Sequence, residues 1–214
     1  MEHRIHRYRE REHHDRGELY ELLDGEQFAV LSTVSDEGEP WAVPISYGRL
    51  GDRIVLHGST GAGLLRAAAA GAPVVLTVVH VDALVVGDRG NGTSSNYRSA
   101  TIRGRLQRLE GPEKVEALNA LLDSYLPGRS GEVPQHTNKE LAATMVCTLD
   151  IGEDNWLYKT RTGMPSAPDG EAAGWAGVIP LETRFGEPVP APWAKGDMPA
   201  SVRAVRPQDG GDEG

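Results

Sequence analysis

Two tight turns close together constrain this chain more than any other feature. Residues 28–34 form an apolar, β-branched run, Ser35-Asp36-Glu37-Gly38 is a turn, and residues 41–47 resume the pattern, which predicts a hairpin. Leu50-Gly51-Asp52 marks a second tight turn before residues 53–57, extending the hairpin to a three-strand meander. Connections this short join antiparallel neighbours only, because a parallel crossover needs about a dozen residues or more. A doubly wound nucleotide-binding sheet is therefore disfavoured from the start.

The rest of the chain extends the same logic. A short helix is predicted over residues 15–23, with Leu19, Leu22 and Leu23 on one face and Asp24-Gly25 at its end. A second fits residues 62–70, capped by Ser59 or Thr60 and stopped by Gly71 and Pro73. Residues 73–79 and 83–86 read as two strands, followed by a loop over residues 87–95. From Tyr97 to Leu109, Ile102, Gly104 and Leu106 alternate with Arg103, Arg105 and Gln107, the period of a half-buried strand long enough to bend around a barrel. Pro112 opens an amphipathic helix with Val115, Leu118, Leu121 and Leu122 inward. Asn138 is expected to cap a helical turn to Ala143, before a last hairpin of residues 145–151 and 156–159. Six or seven strands interrupted by short helices predict a mainly β fold, an antiparallel barrel closed or nearly closed, with helices at its ends.

Composition sets limits on function. The 26 glycines and 14 prolines suit a turn-rich fold. A net charge of -9, from 22 basic and 31 acidic residues, opposes general binding to nucleic-acid phosphates or anionic membranes. No apolar run approaches the ~20 residues of a membrane span and no signal core follows the basic start, so a cytoplasmic protein is expected. The single cysteine, Cys147, makes neither an intrachain disulfide nor a thiolate metal cluster; it reads as a small buried side chain, and no metal site is expected. Residues 1–14 read as a charged arm, residues 15–193 as one domain with a C-terminal wrapping extension, and residues 194–214 as a largely disordered tail.

Familiar catalytic signatures are missing: there is no phosphate loop with Lys-Ser/Thr, no G-x-S-x-G, no H-E-x-x-H and no C-x-x-C. Gly61-Ala62-Gly63 is half a dinucleotide fingerprint without its parallel setting. The strand that ends in His57-Gly58-Ser59-Thr60-Gly61 feeds a helix, and its hydroxyls and backbone N–H groups suit a phosphate; an ordinary helix cap accounts for the same residues. Lys159 and Arg161 alternate about Thr160, which places both on one strand face within reach of one anion; a solvated basic face is the plainer reading.

Taken in order, several blocks resemble the pyridoxamine 5'-phosphate oxidase-like flavoproteins, the FMN-binding split-barrel superfamily. They are Phe28-Ala29-Val30-Leu31-Ser32-Thr33; Gly38 to Tyr47 through Pro44-Ile45-Ser46; Ile54-Val55-Leu56-His57-Gly58-Ser59-Thr60-Gly61; Asn96-Tyr97-Arg98-Ser99; Lys159-Thr160-Arg161-Thr162-Gly163; and Trp175 to Leu181. The chain is most similar to the nitroimidazole-resistance-like, flavin-nucleotide-binding branch, over roughly residues 15 to 193. The resemblance implies a split β-barrel and a homodimer with FMN at the subunit interface. It implies that Pro44, Ile45, Ser46 and Tyr47 lay their backbone along the isoalloxazine ring. It further implies that the His57 block binds the cofactor, with Ser59 and Thr60 on phosphate oxygens, and that Asn96, Tyr97, Arg98 and Lys159 approach from the partner subunit. Tyr97 and Arg161 are the catalytic candidates, one as a proton donor and the other as a fixed positive clamp.

Two departures from the family pattern stand out. The basic residues expected just after the phosphate-binding hydroxyls are replaced by Gly63-Leu64, and Arg66, one helical turn on, is expected to substitute. Bulky residues of the loop before Asn96 are replaced by Gly90-Asn91-Gly92-Thr93-Ser94-Ser95. The implied activity is an FMN-dependent oxidoreductase moving electrons between a reduced nicotinamide and a small aromatic or nitrogenous substrate. Three alternatives stay open: a haem protein with His57 or His80 as ligand, a reductase using the deazaflavin F420, and a cofactor carrier without catalysis.

Overall fold

The computed structural model describes residues 9–35 and 37–205. The first eight residues of the expected arm, the turn residue Asp36 and the tail beyond Val205 lie outside the described residues. In chain order the elements are β1 (Glu12–His13), α1 (Arg16–Gly25), β2 (Phe28–Val34), β3 (Pro40–Leu50), β4 (Arg53–Ser59), α2 (Gly63–Ala69), β5 (Pro73–Val86), β6 (Ser94–Arg105) and β7 (Gln107–Arg108). They are followed by α3 (Gly111–Tyr125), α4 (Asn138–Ala143), β8 (Thr144–Asp150), β9 (Trp156–Arg161), β10 (Gly177–Pro180) and α5 (Ala200–Val205). The meander forms as expected, with Thr33 opposite Trp41 and Tyr47 opposite Leu56. Every pairing is antiparallel, in the order β1-β9-β6-β5-β2-β3-β4-β8-β7. Because β6 runs through Leu106 into β7, which pairs with β8 at the far end of that order, the sheet curls back on itself as a barrel. Among the described residues no helix is long and apolar enough to cross a membrane.

Period-2 alternation fills the interior. Leu31, Leu76, Val78, Ala100, Ile102, Ile54, Leu56 and Leu149 are buried in one core, joined by Leu19, Leu22 and Leu23 of α1 and Leu64, Leu65 and Ala68 of α2. Asp15 starts α1, its carboxylate accepting from Gly17 N (2.7 Å) and Glu18 N (3.2 Å). On the outside of β3, β4 and β8, α3 forms a second core of Ala117, Leu118 and Leu121 against Val55 and Val146. Its buried face lies one position off the expected stripe. Lys114 is buried, donating to Leu141 O (2.7 Å), while Val115 and Leu122 are only half-buried.

Several expectations need correction. The two strand runs around Asp82 are one strand, β5, because Asp82 is absorbed as a bulge between Val81 and Ala83. Ser59 and Thr60 do not cap α2; its N-cap is Ala62, without a side-chain bond, and Ser59 Oγ accepts from Gly61 N instead (3.2 Å). Thr137, rather than Asn138, caps α4, in a reciprocal box with Glu140. Within the expected tail, residues 200–205 form α5, which docks through Ser201, whose N–H and hydroxyl both donate to Glu132.

Cys147 lies fully buried on β8, and burial pushes its thiol up to about 11. Alkylation near pH ~8 is therefore expected to run ~10²-fold slower in the native protein than in urea, as timed thiol titration measures.

Candidate functional site

The first group of candidate residues surrounds a place where two strands part. Residues 40–46 of β3 pair with β2 along one edge. The ladder of β3 with β4 covers only Tyr47 to Leu50, while β4 runs on beside β8 as far as Ser59. The other edge of residues 40–46 thus has no strand partner among the described residues, and backbone N–H and C=O groups left this way need partners from elsewhere. Pro44 is exposed, and Ile45 and Ser46 are half-buried. Tyr47 points into the core and donates its hydroxyl to Leu23 O (2.8 Å); burial, then Glu26 and Asp24, push its phenol up. Only its backbone is available to a ligand.

Ser59 and Thr60 end β4 and are exposed, with Thr60 N held by Ala143 O (3.1 Å). Arg66 is exposed on α2, one turn beyond Gly63. A Cβ on Gly63 would lie 2.9 Å from Cη2 of Trp41, so a side chain there would displace the outer end of that exposed indole.

A second group lies on β6 and β9. Tyr97 stands opposite Arg161 and Ser99 opposite Lys159, so Tyr97, Lys159 and Arg161 share the outward face. Lys159 Nζ is 5.8 Å from the Tyr97 ring centroid, and Arg161 Nη1 donates to Ser95 O (2.9 Å). Asn96 is buried; its Nδ2 donates to Gly163 O (3.0 Å) while Oδ1 has no partner. The loop before it closes tightly, since a Cβ on Gly87 would lie 2.6 Å from the Gly92 backbone. Arg98 does not join this group. As the neighbour of Tyr97 in a strand it takes the opposite face, where Asp82 accepts from its Nε and Nη2 at 3.0 and 2.9 Å and holds the guanidinium still more firmly protonated.

The two groups are separated within one chain. Strands β5 and β2 stand between β6 and β3, which puts three strand spacings, roughly 14 Å, between them.

The histidines sort differently from expectation. His80 Nδ1 is 2.5 Å from Glu26 and its Nε2 is 3.6 Å from Asp82, so both ring nitrogens face carboxylates. His57 faces α3 and lines a cavity of about 230 Å³ with His136, Leu118, Leu121, Leu122 and Leu141. Nδ1 of His57 and Nε2 of His136 are both buried without a hydrogen-bond partner. His136 sits in a loop with no periodic pattern, and no signal in the sequence singled it out. Among the described residues no cluster of three metal-ligating side chains occurs.

A family model described as Pyridoxamine 5'-phosphate oxidase matches residues 15–155. The structure of the FAD and haem binding protein from Mycobacterium smegmatis is 42% identical, with a TM-score of 0.88, covering 91% of this chain and 97% of that one. The flavocytochrome Anf3 from Azotobacter vinelandii is 29% identical, with a TM-score of 0.86, covering 94% of this chain and 95% of that one. A candidate 5-nitroimidazole antibiotic resistance protein from Bacteroides thetaiotaomicron shares the fold at 19% identity and a TM-score of 0.59, covering 70% of this chain and 86% of that one. Among curated proteins none matches the sequence.

Burial pushes the His57 imidazole below its ordinary value. The unfolded chain then takes up that proton first, so His57 supports stability above its unfolded pKa of about 6.5, and the support is lost as pH falls below it. Melting temperatures measured between about pH 7 and 5 are expected to drop, and to drop less steeply in His57→Gln.

Proposed function

The chain belongs to the pyridoxamine 5'-phosphate oxidase family, and on that premise we propose that it is a flavin-binding redox protein that works as a homodimer. The open backbone edge of residues 40–46 carries this reading. It offers a row of main-chain donors and acceptors for the polar rim of an isoalloxazine ring, beside the exposed hydroxyls of Ser59 and Thr60 and the cation of Arg66 for phosphate. The chemistry of the groups present therefore fits a flavin. The names of the two long matches, one an FAD and haem binding protein and the other a flavocytochrome, support the same cofactor class.

The dimer follows from what one chain leaves incomplete. Phe28, Val30 and Val34 of β2 and Val79 and Val81 of β5 are exposed at 63%, 41%, 47%, 52% and 40%, too much apolar surface on one sheet to face water. A second copy laid on this face would bring its own Tyr97, Lys159 and Arg161 to the β3 edge of the first. A bound flavin supplies the electron transfer to a small aromatic or nitrogenous substrate. The Arg161 guanidinium would face the negative charge of flavin or substrate, the Tyr97 hydroxyl would donate a hydrogen bond, and Asn96 would fix the strand beside them.

A second cofactor, haem, is favoured by one observation: the unpartnered nitrogens of His57 and His136 meet in a single leucine-walled cavity. The donors suit iron, but about 230 Å³ is smaller than cofactor pockets usually are, and no step is assigned to them.

Sedimentation of the purified protein, followed at ~450 nm for flavin and at ~400 nm for haem, tests cofactor and assembly together. A species of twice the chain mass that carries the flavin band is expected; a colourless monomer at micromolar concentration would refute the proposal. In the coloured dimer, Arg161→Ala is expected to slow reduction of the flavin by a nicotinamide donor ~10²-fold with little loss of cofactor, as stopped-flow absorbance would show.

A further inference from the structure

The geometry points to the parting of β2 from β5 as a second ligand site, one that takes the ring of a small planar aromatic amidine or aminated N-heterocycle. This deepens the functional reading above, because it gives the aromatic or nitrogenous substrate a place. β2 pairs with β5 only from Val30 onward, so residues 28–29 have no strand partner on that edge among the described residues, and neither do residues 78–81 of β5. Alternate residues of such an edge turn their N–H and C=O groups toward the gap. The cavity of about 970 Å³ at this gap is of substrate size. Phe28 and Phe185 both line it and are 63% and 55% exposed, two large rings left mostly to water. Phe28 also lies opposite Ser46 in the β2–β3 ladder, one strand spacing, about 4.8 Å, from the backbone proposed to carry the flavin.

The polar groups of the cavity select by charge. His80 Nδ1 engages one carboxylate oxygen of Glu26 (2.5 Å), and the other oxygen has no hydrogen-bond partner among the described residues. The two side chains of the lining that can carry positive charge are already committed: His80 lies between Glu26 and Asp82, and Arg184 donates to Glu182. A ligand carboxylate or phosphate therefore meets no unpaired cation here, whereas an edge rich in N–H groups meets Glu26 and open main-chain carbonyls. A positively charged ring is also drawn to the faces of phenylalanine. The preference is the reverse of that on the β6 and β9 face, where Lys159 and Arg161 suit an anion, so the two places do not compete for one ligand. Phe28, Val79 and Val81 belong to the face that the proposed second copy covers, and in that dimer the cavity adjoins the subunit junction.

The test is calorimetric titration of the full-length protein, in the assembly it forms, with three probes of one shape: benzamidine, benzamide and benzoate. Benzamidine is expected to bind about tenfold or more tighter than benzoate, with benzamide between them. Phe185→Ala, at an exposed position, should weaken benzamidine about fivefold, and Glu26→Gln, which can still accept from His80, should abolish the preference for benzamidine over benzamide. Trp193→Ala, an exposed aromatic outside the cavity, should change nothing. Equal affinity for the three probes, no benzamidine binding up to ~10 mM, or affinities that ignore both Phe185→Ala and Glu26→Gln would overturn the assignment. So would benzamidine that dissociates the dimer, because the second copy would then be what fills the cavity. Heat of binding is read whether or not the preparation carries flavin. A colourless protein that binds benzamidine keeps this site and loses the flavin reading, and a flavin-loaded dimer that binds none does the opposite.

Discussion

One strand serving two partners along a single edge determines the rest of this molecule. β5 pairs with β6 along its whole length, but on its other side it holds β2 through residues 74–77 and β10 through residues 83–86. Between those partners, residues 78–81 have no strand neighbour on that edge among the described residues. The bulge at Asp82 lies at the end of this gap, where isolated contacts stand in place of a ladder. His80 reaches Glu26 across the gap, Asp82 holds Arg98, and Leu181 N returns to Asp82 O (2.9 Å). A cavity of about 970 Å³ lined by Phe28, Val79, Val81, Leu181 and Phe185 marks the split. Bulges sharpen local twist, and this one lets a single 14-residue strand belong to both halves of the barrel.

The consequence is a sheet with its chemistry at two remote places. On the β3 side lie an open backbone edge, two hydroxyls and an indole; on the β6 and β9 side lie a tyrosine and two cations. β2 and β5 separate them with a face of valines and a phenylalanine. Burial of such a face is favourable by about 25 cal/mol per Å², and in the proposed homodimer a like surface would cover it and bring the two places together.

Much of this was legible because it depends on periodicity and turn chemistry. The β2–β3–β4 meander, the leucines of α1 and the alternation along β6 follow from patterns of 2 and 3.6 residues that no distant contact overrides. What could not be read depends on contacts far apart in sequence. Asp82 looks like a strand breaker until β6 and Leu181 supply its partners, and α5 exists because Ser201 finds Glu132, 69 residues away. Arg98 is a different case. Strand alternation already separates it from Tyr97, and grouping the two as one block passed over a rule that the sequence itself supplied. The replacement of an expected cation by Gly63 was visible, but the packing of the Trp41 ring beside it was not.

Charge pairing then separates cations that hold the fold from those free to hold a ligand. Arg49 is tied to Asp24, Arg98 to Asp82, Arg108 to Glu110 and Arg129 to Glu132, as expected in a chain with nine more acids than bases. Lys159, Arg161 and Arg66 have no carboxylate within salt-bridge distance among the described residues. A lone surface cation needs no explanation, because exposed pairs are worth little and long side chains prefer water. Two cations on one strand face beside an aromatic ring, one of them held by a backbone carbonyl, raise the positive potential there, and Glu12, opposite Lys159 in the ladder, is the nearest acidic residue in register. In the proposed flavin site this positive face is the electrostatic counterpart of the open edge on β3: one would meet the anionic part of the ligand and the other its flat polar part.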